Sequence, residues 1–225
     1  MPPVADPDNL EIKSLIECHS NFITRRRYKR FLEVVQNRTR YLTIVLEDIF
    51  QPHNASAVLR TCDCFGIQDV HIIENRNKYQ VNPDVALGSS RWLNLYKYND
   101  NIDNTMNCLS SLKEKGYRIV ATTPHRDDHT PENLSLAQKT ALVFGTELVG
   151  LTPGVLAMAD DYIRIPMAGF TESLNISVSA AILIHTLTNR LRNSTIAWHL
   201  TESETDKILL TWLQNSINKP GLLQP

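Results

Sequence analysis

Three polar segments of the sequence carry residue types that could do chemistry, and each follows a stretch predicted to be a β-strand. The segments are 53–62 (HNASAVLRTC), 144–151 (FGTELVGL) and 165–179 (IPMAGFTESLNISVS). In open parallel sheets, ligands bind beyond the carboxyl ends of the strands. This placement makes the three segments the candidates for a functional site.

The first segment predicts a helix with one cationic side chain on its polar face. Asn54 is placed to cap this helix, because its side-chain oxygen can accept a hydrogen bond from a free backbone N–H of the first turn. Arg60 falls opposite the apolar stripe of the same helix. A lone arginine in such a position is usually a surface charge, so Arg60 by itself leaves the function open.

Glycines and small residues mark the other two segments. Gly145 and Gly150 predict unusual backbone angles or the close approach of a ligand to the main chain, with a plain tight connection as the alternative. The third segment predicts a loop that leads into a helix. The small residues of that helix, which permit tight packing against another segment, are Ser177, Ser179, Ala180 and Ala181.

Several motifs that would define a cofactor or metal site are absent from the sequence. The glycines form neither G-x-G-x-x-G nor a P-loop, and there is no G-x-S-x-G or H-E-x-x-H. Cysteines 18, 62, 64 and 108 offer one C-x-C pair without a second close pair. We therefore predict reduced thiols and no metal, and a nucleotide-type cofactor would need another architecture.

The elements that must position these segments alternate between strand and helix. Strands are predicted at 41–46, 70–74, 93–98, 118–123, 140–145 and 161–165, with helical patterns at 54–65, 101–115, 154–159 and 175–192. Alternation with nearly continuous apolar strands predicts an α/β fold: a mostly parallel sheet with helices on both faces.

Helices are also predicted at both ends of the chain. Two amphipathic patterns occupy residues 1–40, and Thr201-x-x-Glu204 is a capping box that opens a last helix. The apolar stripe of that helix belongs either to its own domain or to a subunit interface. Its members are Ile208, Leu209, Trp212, Leu213 and Ile217. We predict three parts: an extension at 1–40, a central domain at 41–192 and an extension at 193–225.

The overall charge excludes a polybasic coat protein, but it conceals a local cluster. The chain has 225 residues with 23 basic and 24 acidic side chains, a net charge of −1. Residues 25–40 nevertheless contain one acid, Glu33. The cations of this stretch are Arg25, Arg26, Arg27, Lys29, Arg30, Arg38 and Arg40. Such a cluster is either a solvated helix face or a surface that binds a polyanion.

The composition predicts a soluble globular protein of the cytoplasm. The hydrophobic share of 42% is too high for disorder. The longest apolar stretch, 176–187, is too short and too interrupted to span a bilayer. The first residues, MPPVADPDNLE, lack the charged and apolar regions of a signal peptide.

Together, the three segments resemble the motifs of the SpoU/TrmH family of RNA ribose 2′-O-methyltransferases, part of the SPOUT class. The matching patterns are N-x-S-A-x-x-R-T-C-D at 54–63, F-G-x-E-x-x-G-L at 144–151 and I-P-M-x-G-x-x-x-S-L-N-x-S-V-S at 165–179. The resemblance covers about residues 41–192, and the flanking helices look like the TrmH subgroup, which acts on tRNA. It implies S-adenosylmethionine as cofactor, a C-terminal deep trefoil knot and a homodimer.

The resemblance also implies roles for individual residues. The implied catalytic residues are Arg60, Asn54, Glu147 and Asn175, and the implied cofactor-binding residues are Thr122, Thr123, Gly145, Ile165, Leu174 and Ser173. The reaction would be in-line attack of a ribose 2′-hydroxyl on the sulfonium methyl group, with Arg60 activating the hydroxyl. Because a guanidinium titrates above pH ~12, whether Arg60 accepts the proton stays open.

The favoured function is a tRNA guanosine 2′-O-methyltransferase that acts in the D-loop. The alternatives are the same chemistry on ribosomal RNA and a non-catalytic RNA-binding protein with this fold. Residues 193–225 hold Lys207 and Lys219 against Glu202, Glu204 and Asp206. Because some family members carry a basic C-terminal extension and this chain does not, we expect RNA to be bound by the cationic cluster within 25–40.

Overall fold

The computed structural model describes residues 7–80, 82–100, 102–126, 128–146 and 149–217. The chain divides into two compact units. We call Thr39–Trp198 the sheet unit, and Met1–Arg38 together with His199–Pro225 the helical unit. The two terminal segments of the sequence therefore belong to one unit.

The sheet unit contains six parallel strands in the order β3-β2-β1-β5-β4-β6. The strands are β1 Leu42–Glu47, β2 Asp69–Ile73, β3 Asn94–Tyr98, β4 Arg118–Thr122, β5 Thr140–Phe144 and β6 Asp161–Ile163. All six predicted strands are confirmed, and the largest difference is at β6, which ends at Ile163 rather than at 165.

The helices also follow the predicted alternation. They are α1 Pro7–Ser20, α2 Arg25–Val35, α3 Pro52–Phe65, α4 Pro83–Ala86, α5 Asn104–Glu114, α6 Pro153–Met158, α7 Ile176–Arg192 and α8 Glu202–Ile217. The short α4 and a 3₁₀ turn at Ser89–Arg91 are not among the predicted elements. No helix within the described ranges is long and apolar enough to cross a membrane.

Both faces of the sheet are buried, which confirms the predicted α/β architecture. Successive residues of a strand point to opposite faces. Ile44 and Leu46 therefore join the core that contains residues of α3 and α7, whereas Val45 joins the core that contains residues of α5 and α6. Burial on both faces explains why the strands have almost continuous apolar sequences.

The helical unit buries the apolar stripe of α8 within itself. Ile208, Leu209, Trp212 and Leu213 are buried, and the ring of Trp212 meets that of Phe31 on α2 edge to face at 5.7 Å. The predicted capping box is present: Thr201 N donates to Glu204 Oε2 at 2.9 Å, and Glu204 N donates to Thr201 Oγ1 at 3.3 Å. Of the two interpretations of the stripe, the structure favours packing within its own unit.

Candidate active site

A cavity of about 420 Å³ lies at the carboxyl ends of β4, β5 and β6. The structure gathers all six predicted cofactor-binding residues around it: Thr122, Thr123, Gly145, Ile165, Ser173 and Leu174. They come from three loops that are far apart in the sequence. Their role in cofactor binding stays a prediction, but the structure brings them to one place.

Gly145 lies in the cavity wall with no room for a side chain. A Cβ atom at this position would lie 2.3 Å from the carbonyl oxygen of Gly150. Thr146 N donates to Gly150 O at 3.1 Å, and Gly150 N donates to Thr146 O at 3.0 Å. The close approach at Gly145 is therefore made by the chain's own backbone, whereas Gly150 has the unusual angle, with φ of 71°.

The cavity combines an apolar floor with charged groups of both signs. Phe144, Leu151 and Leu183 are buried members of its lining. His125, Arg164 and Glu172 also line it. An apolar cavity with a few polar and charged groups is the usual form of a small-molecule site, and this one could hold a ligand that carries charges of both signs.

The prediction that Asn54 caps α3 is wrong. The helix begins at Pro52, with Gln51 as its N-cap. Proline is favoured in the first turn because it has no N–H to leave unpaired, so the helix starts two residues earlier than predicted. Asn54 is instead buried, and its Oδ1 accepts a hydrogen bond from Asn175 Nδ2 at 3.2 Å.

Asn175 links the first and third motif segments. It is the N-cap of α7, where its Oδ1 accepts hydrogen bonds from Ser177 N at 2.8 Å and from Ser177 Oγ at 2.6 Å. Its Nδ2 holds Asn54 at the same time. The N-terminal ends of α3 and α7 are therefore joined by an amide-to-amide hydrogen bond.

Arg60 projects from α3 into solvent. No residue in the described part of the chain forms a hydrogen bond or ion pair with its guanidinium, and the cavity lining does not include it. Its side chain is therefore available to a bound substrate. Glu147, the remaining predicted catalytic residue, lies outside the described residues.

The predicted RNA-binding cations are in different surroundings. Arg25, Arg26, Lys29 and Arg30 are exposed on α2, with Arg30 3.5 Å from Glu33. Arg27 is half-buried, and its guanidinium lies 5.7 Å from the ring centre of Phe31. Five of the seven cations thus belong to α2, and most of these are free to meet an anion.

Two of the predicted cations are not placed to bind RNA. Arg38 is 2% exposed, with its guanidinium 5.2 Å from the ring centre of Trp212. Arg40 belongs to the sheet unit, where its Nε lies 3.2 Å from Asp69 Oδ2. Burial in one case and an internal ion pair in the other argue against the predicted phosphate contacts of these two residues.

Two acids at the end of β1 were not predicted to take part in the site. Glu47 and Asp48 are buried, and both accept several hydrogen bonds from neighbouring loops. The signal that could have found them is a pair of acids directly after an apolar strand and just before the first motif segment.

The cysteines do not form a metal site with other ligands in the described ranges, where no cluster of three His, Cys, Asp or Glu side chains occurs. Cys62 and Cys108 are buried, whereas Cys18 and Cys64 are exposed. Burial raises the pKa of the Cys108 thiol to about 12, so this thiol is unreactive at neutral pH.

Comparison with known proteins identifies the family. Residues 41–185 match the SpoU rRNA Methylase family. A tRNA (guanosine(18)-2'-O)-methyltransferase of Borreliella burgdorferi is 48% identical over 88% of this chain and 89% of its own length. The enzyme of the same name from Thermus thermophilus is 35% identical over 72% of this chain and 81% of its own.

A solved structure agrees with the sequence relatives. The A. aeolicus TrmH/SpoU tRNA modifying enzyme superimposes with a TM-score of 0.76 at 31% identity, over 86% of this chain and 98% of that chain. With more than half of its length matched by the family and with relatives that it covers over at least four fifths of their length, the chain belongs to the SpoU methylase family.

Proposed function

We propose that this chain transfers a methyl group from S-adenosylmethionine to the ribose 2′-oxygen of guanosine 18 in the D-loop of tRNA. The observation that carries the proposal is the gathering of six residues around one cavity, from the end of β4 and from the second and third motif segments. The names of the relatives supply the nucleotide. These relatives match beyond the family core, and the flanks are where a tRNA enzyme would differ from an rRNA enzyme.

The cavity fits the proposed cofactor. Its volume of about 420 Å³ lies within the ~300–1,000 Å³ typical of small-molecule sites. At Gly145 and Gly150 the wall is bare backbone, so a ligand can approach the main chain closely, and Arg164, His125 and Glu172 can meet charges on the ligand. When bound, S-adenosylmethionine supplies a methyl group on a positively charged sulfur, which is already activated for transfer.

The chain's own residues would mainly position the reacting groups. Arg60, exposed on α3 and without a partner among the described residues, would bind a phosphate and the 2′-oxygen of the target nucleotide. The hydrogen bond between Asn54 and Asn175 fixes the start of the Arg60 helix against the loop that contributes Ser173 and Leu174 to the cavity. Positioning of this kind contributes up to ~7–11 kcal/mol to lowering a reaction barrier.

Helix α2 is the proposed RNA-binding surface of the helical unit. Its first turn contains Arg25, Arg26 and Arg27 and no acid. A helix N-terminus carries a partial positive charge, so three cations there oppose the stability of the helix. Such a local loss of helix stability is typical of functional surfaces, and binding of RNA phosphates would offset it.

We also propose that the protein works in the cytoplasm as a homodimer with a C-terminal trefoil knot. Family membership supports the knot, and the strand order β1-β5-β4-β6 is compatible with it. Val178 and Ile182, four residues apart on α7, are 44% and 37% exposed. A second copy of the chain would cover this apolar face. The oligomeric state follows from sedimentation of the purified protein.

The function is tested by supplying labelled S-adenosylmethionine together with unmodified tRNA or ribosomal RNA. We expect label in tRNA, at guanosine 18 when the product is mapped. Label in ribosomal RNA alone would instead identify the protein as an rRNA 2′-O-methyltransferase. Binding of RNA without any methyl transfer would favour a non-catalytic module.

A further inference from the structure

The buried carboxylate of Glu47 lies directly beneath the loop that forms one wall of the cavity. It ends β1, the strand next to β5, and is 1% exposed. Its Oε2 accepts a hydrogen bond from Thr152 N at 3.0 Å, and its Oε1 accepts one from Thr152 Oγ1 at 2.7 Å. One carboxylate therefore holds both the backbone and the side chain of Thr152.

Thr152 is the residue at which the wall loop ends. Gly150 and Leu151, which precede it, both line the cavity. At the other end of the loop, Gly145 touches Gly150 so closely that no side chain fits between them. Gly150 is therefore held on one side by the contact with Gly145 and the paired backbone hydrogen bonds with Thr146, and on the other side, through Leu151, by the attachment of Thr152 to Glu47.

The carboxylate has a second partner that leads away from the cavity. Its Oε1 also accepts a hydrogen bond from Thr105 Oγ1 at 2.8 Å, and Thr105 Oγ1 accepts one from Asn75 Nδ2 at 2.8 Å. These hydrogen bonds connect Glu47 to α5, which contains Thr105, and to the loop after β2, which contains Asn75. The two threonines thus bind the same oxygen at nearly the same distance, but only Thr152 is connected to the cavity wall.

A carboxylate is an unusual residue for this buried position. No lysine, arginine or histidine in the described ranges forms an ion pair with Glu47. A buried carboxylate without a cation is unfavourable unless hydrogen bonds compensate for the lost water. Here three donors converge on two oxygens, and a carboxylate is the side chain that can accept from all of them.

We propose that Glu47 is a positioning residue for the cofactor site: it fixes Thr152 and thereby holds the Gly150–Leu151 wall in the shape that binds S-adenosylmethionine. The inference rests on the proposed function, since it concerns the same cavity. Glu47 itself does not line the cavity and is not a catalytic residue.

The test compares variants of the two threonines in the full-length protein. We expect Thr152→Val to raise the dissociation constant for S-adenosylhomocysteine about tenfold, measured by calorimetry, because it removes a hydrogen bond to a charged group. The same hydroxyl caps α6 by accepting from Val155 N at 3.4 Å, so Glu47→Gln, which leaves that cap in place, decides whether the loss acts through the carboxylate. Thr152→Ser keeps the hydroxyl and should restore the wild-type value. Thr105→Val removes the other partner of the same oxygen and should change the constant by less than about threefold. Glu47→Gln, where it folds, should behave like Thr152→Val.

The tRNA dissociation constant serves as the control for general damage and should be unchanged in all variants. Equal weakening of S-adenosylhomocysteine binding by Thr105→Val and Thr152→Val would overturn the inference, because the carboxylate would then have only a general structural role. Wild-type affinity in Thr152→Val would overturn it as well and would leave the proposed function standing. Failure of the wild-type protein to bind S-adenosylhomocysteine would instead refute the proposed function.

Discussion

The sheet unit and the helical unit keep their polar side chains in different places. In the sheet unit, Glu47, Asp48 and Asn54 are buried and hydrogen-bonded at the edge where the strands end. In the helical unit, the cations of α2 are mostly exposed, and the first turn of that helix has no acid. Buried polar groups fix a geometry, whereas exposed cations create a field that attracts anions.

The proposed function gives the two units separate tasks, which fit this difference. A methyl-transfer site needs fixed distances, so substitutions in the sheet unit should change cofactor binding or turnover. Capture of a polyanion depends on summed charge, so substitutions on α2 should change RNA affinity by small and roughly additive steps. The following substitutions test whether the two kinds of effect separate.

The largest effect should come from Gly145→Ala. Its Cβ would lie 2.3 Å from Gly150 O, and a backbone atom cannot move aside cheaply. Because a displacement of about 1 Å in a binding site can cost ~100-fold, we expect S-adenosylhomocysteine affinity to fall at least that much by calorimetry. Gly154→Ala is the control, since its Cβ would meet nothing nearer than 3.6 Å. Similar affinities in the two variants would contradict the account of the wall.

Arg60→Lys should lower turnover about a hundredfold in single-turnover assays. Lysine keeps the charge but loses the planar pair of donors that would hold the phosphate and the 2′-oxygen. Cofactor affinity should be unchanged, because Arg60 does not line the cavity. Wild-type turnover at neutral pH would exclude a specific role for the guanidinium.

Acid should destabilise the sheet unit through His71. Burial, with a smaller contribution from Lys115, lowers the pKa of His71 from 6.5 to about 4. Between pH 6.5 and pH 4, His71 is therefore mostly protonated in the unfolded chain and mostly neutral in the folded chain. The free energy of unfolding falls as the pH drops through this range. Between pH 7 and pH 5 we expect the free energy of unfolding, measured with urea, to fall by about 2 kcal/mol, which is about thirtyfold in the folding equilibrium constant.

His71→Phe is the matched control for this loss. A phenyl ring can keep the stacking on Tyr96, whose ring centre lies 4.8 Å from that of His71. The variant should lack the His71 part of the pH dependence. Parallel pH profiles for the variant and the wild type would show that the loss has another origin.

The smallest effect should come from Arg26→Glu on α2. We expect tRNA affinity to fall about fivefold at physiological salt. The slope of log affinity against log salt concentration should become shallower by about one, as expected for the loss of one phosphate contact. Lys207→Glu, on the exposed side of α8, changes the net charge equally and should have less effect. An equal effect of both changes would show that α2 acts only through the net charge of the protein and is not a specific RNA-binding surface. A change in cofactor affinity would contradict the separation of the two tasks.

The strands could be predicted because their sequences reflect burial on both faces. Short, nearly continuous apolar runs such as YLTIVL and TALVFG favour fully buried strands. The motif segments could be placed at strand ends for the same reason, whereas the six residues around the cavity were predicted to bind the cofactor by the family resemblance and not by local patterns. Local patterns therefore determined most of the sheet unit.

The remaining features depend on contacts that local patterns do not show. Helix α3 begins at Pro52, two residues before Asn54. Asn54 instead forms a hydrogen bond with Asn175, which is 121 residues away in the sequence. Arg38 looks like part of a basic surface, but it lies over Trp212 from the other end of the chain. Glu47 looks like an ordinary strand end, and only the fold brings Thr105 and Thr152 to it.

Methyl transfer to a ribose oxygen can be distinguished from transfer to any other atom of the tRNA with one pair of substrates. Two synthetic tRNAs are compared that differ only at guanosine 18, which carries either a ribose or a 2′-deoxyribose. With labelled S-adenosylmethionine, we predict methylation of the ribose form and none of the 2′-deoxy form. Equal labelling of both would contradict the account, because the methyl group would then go to another atom.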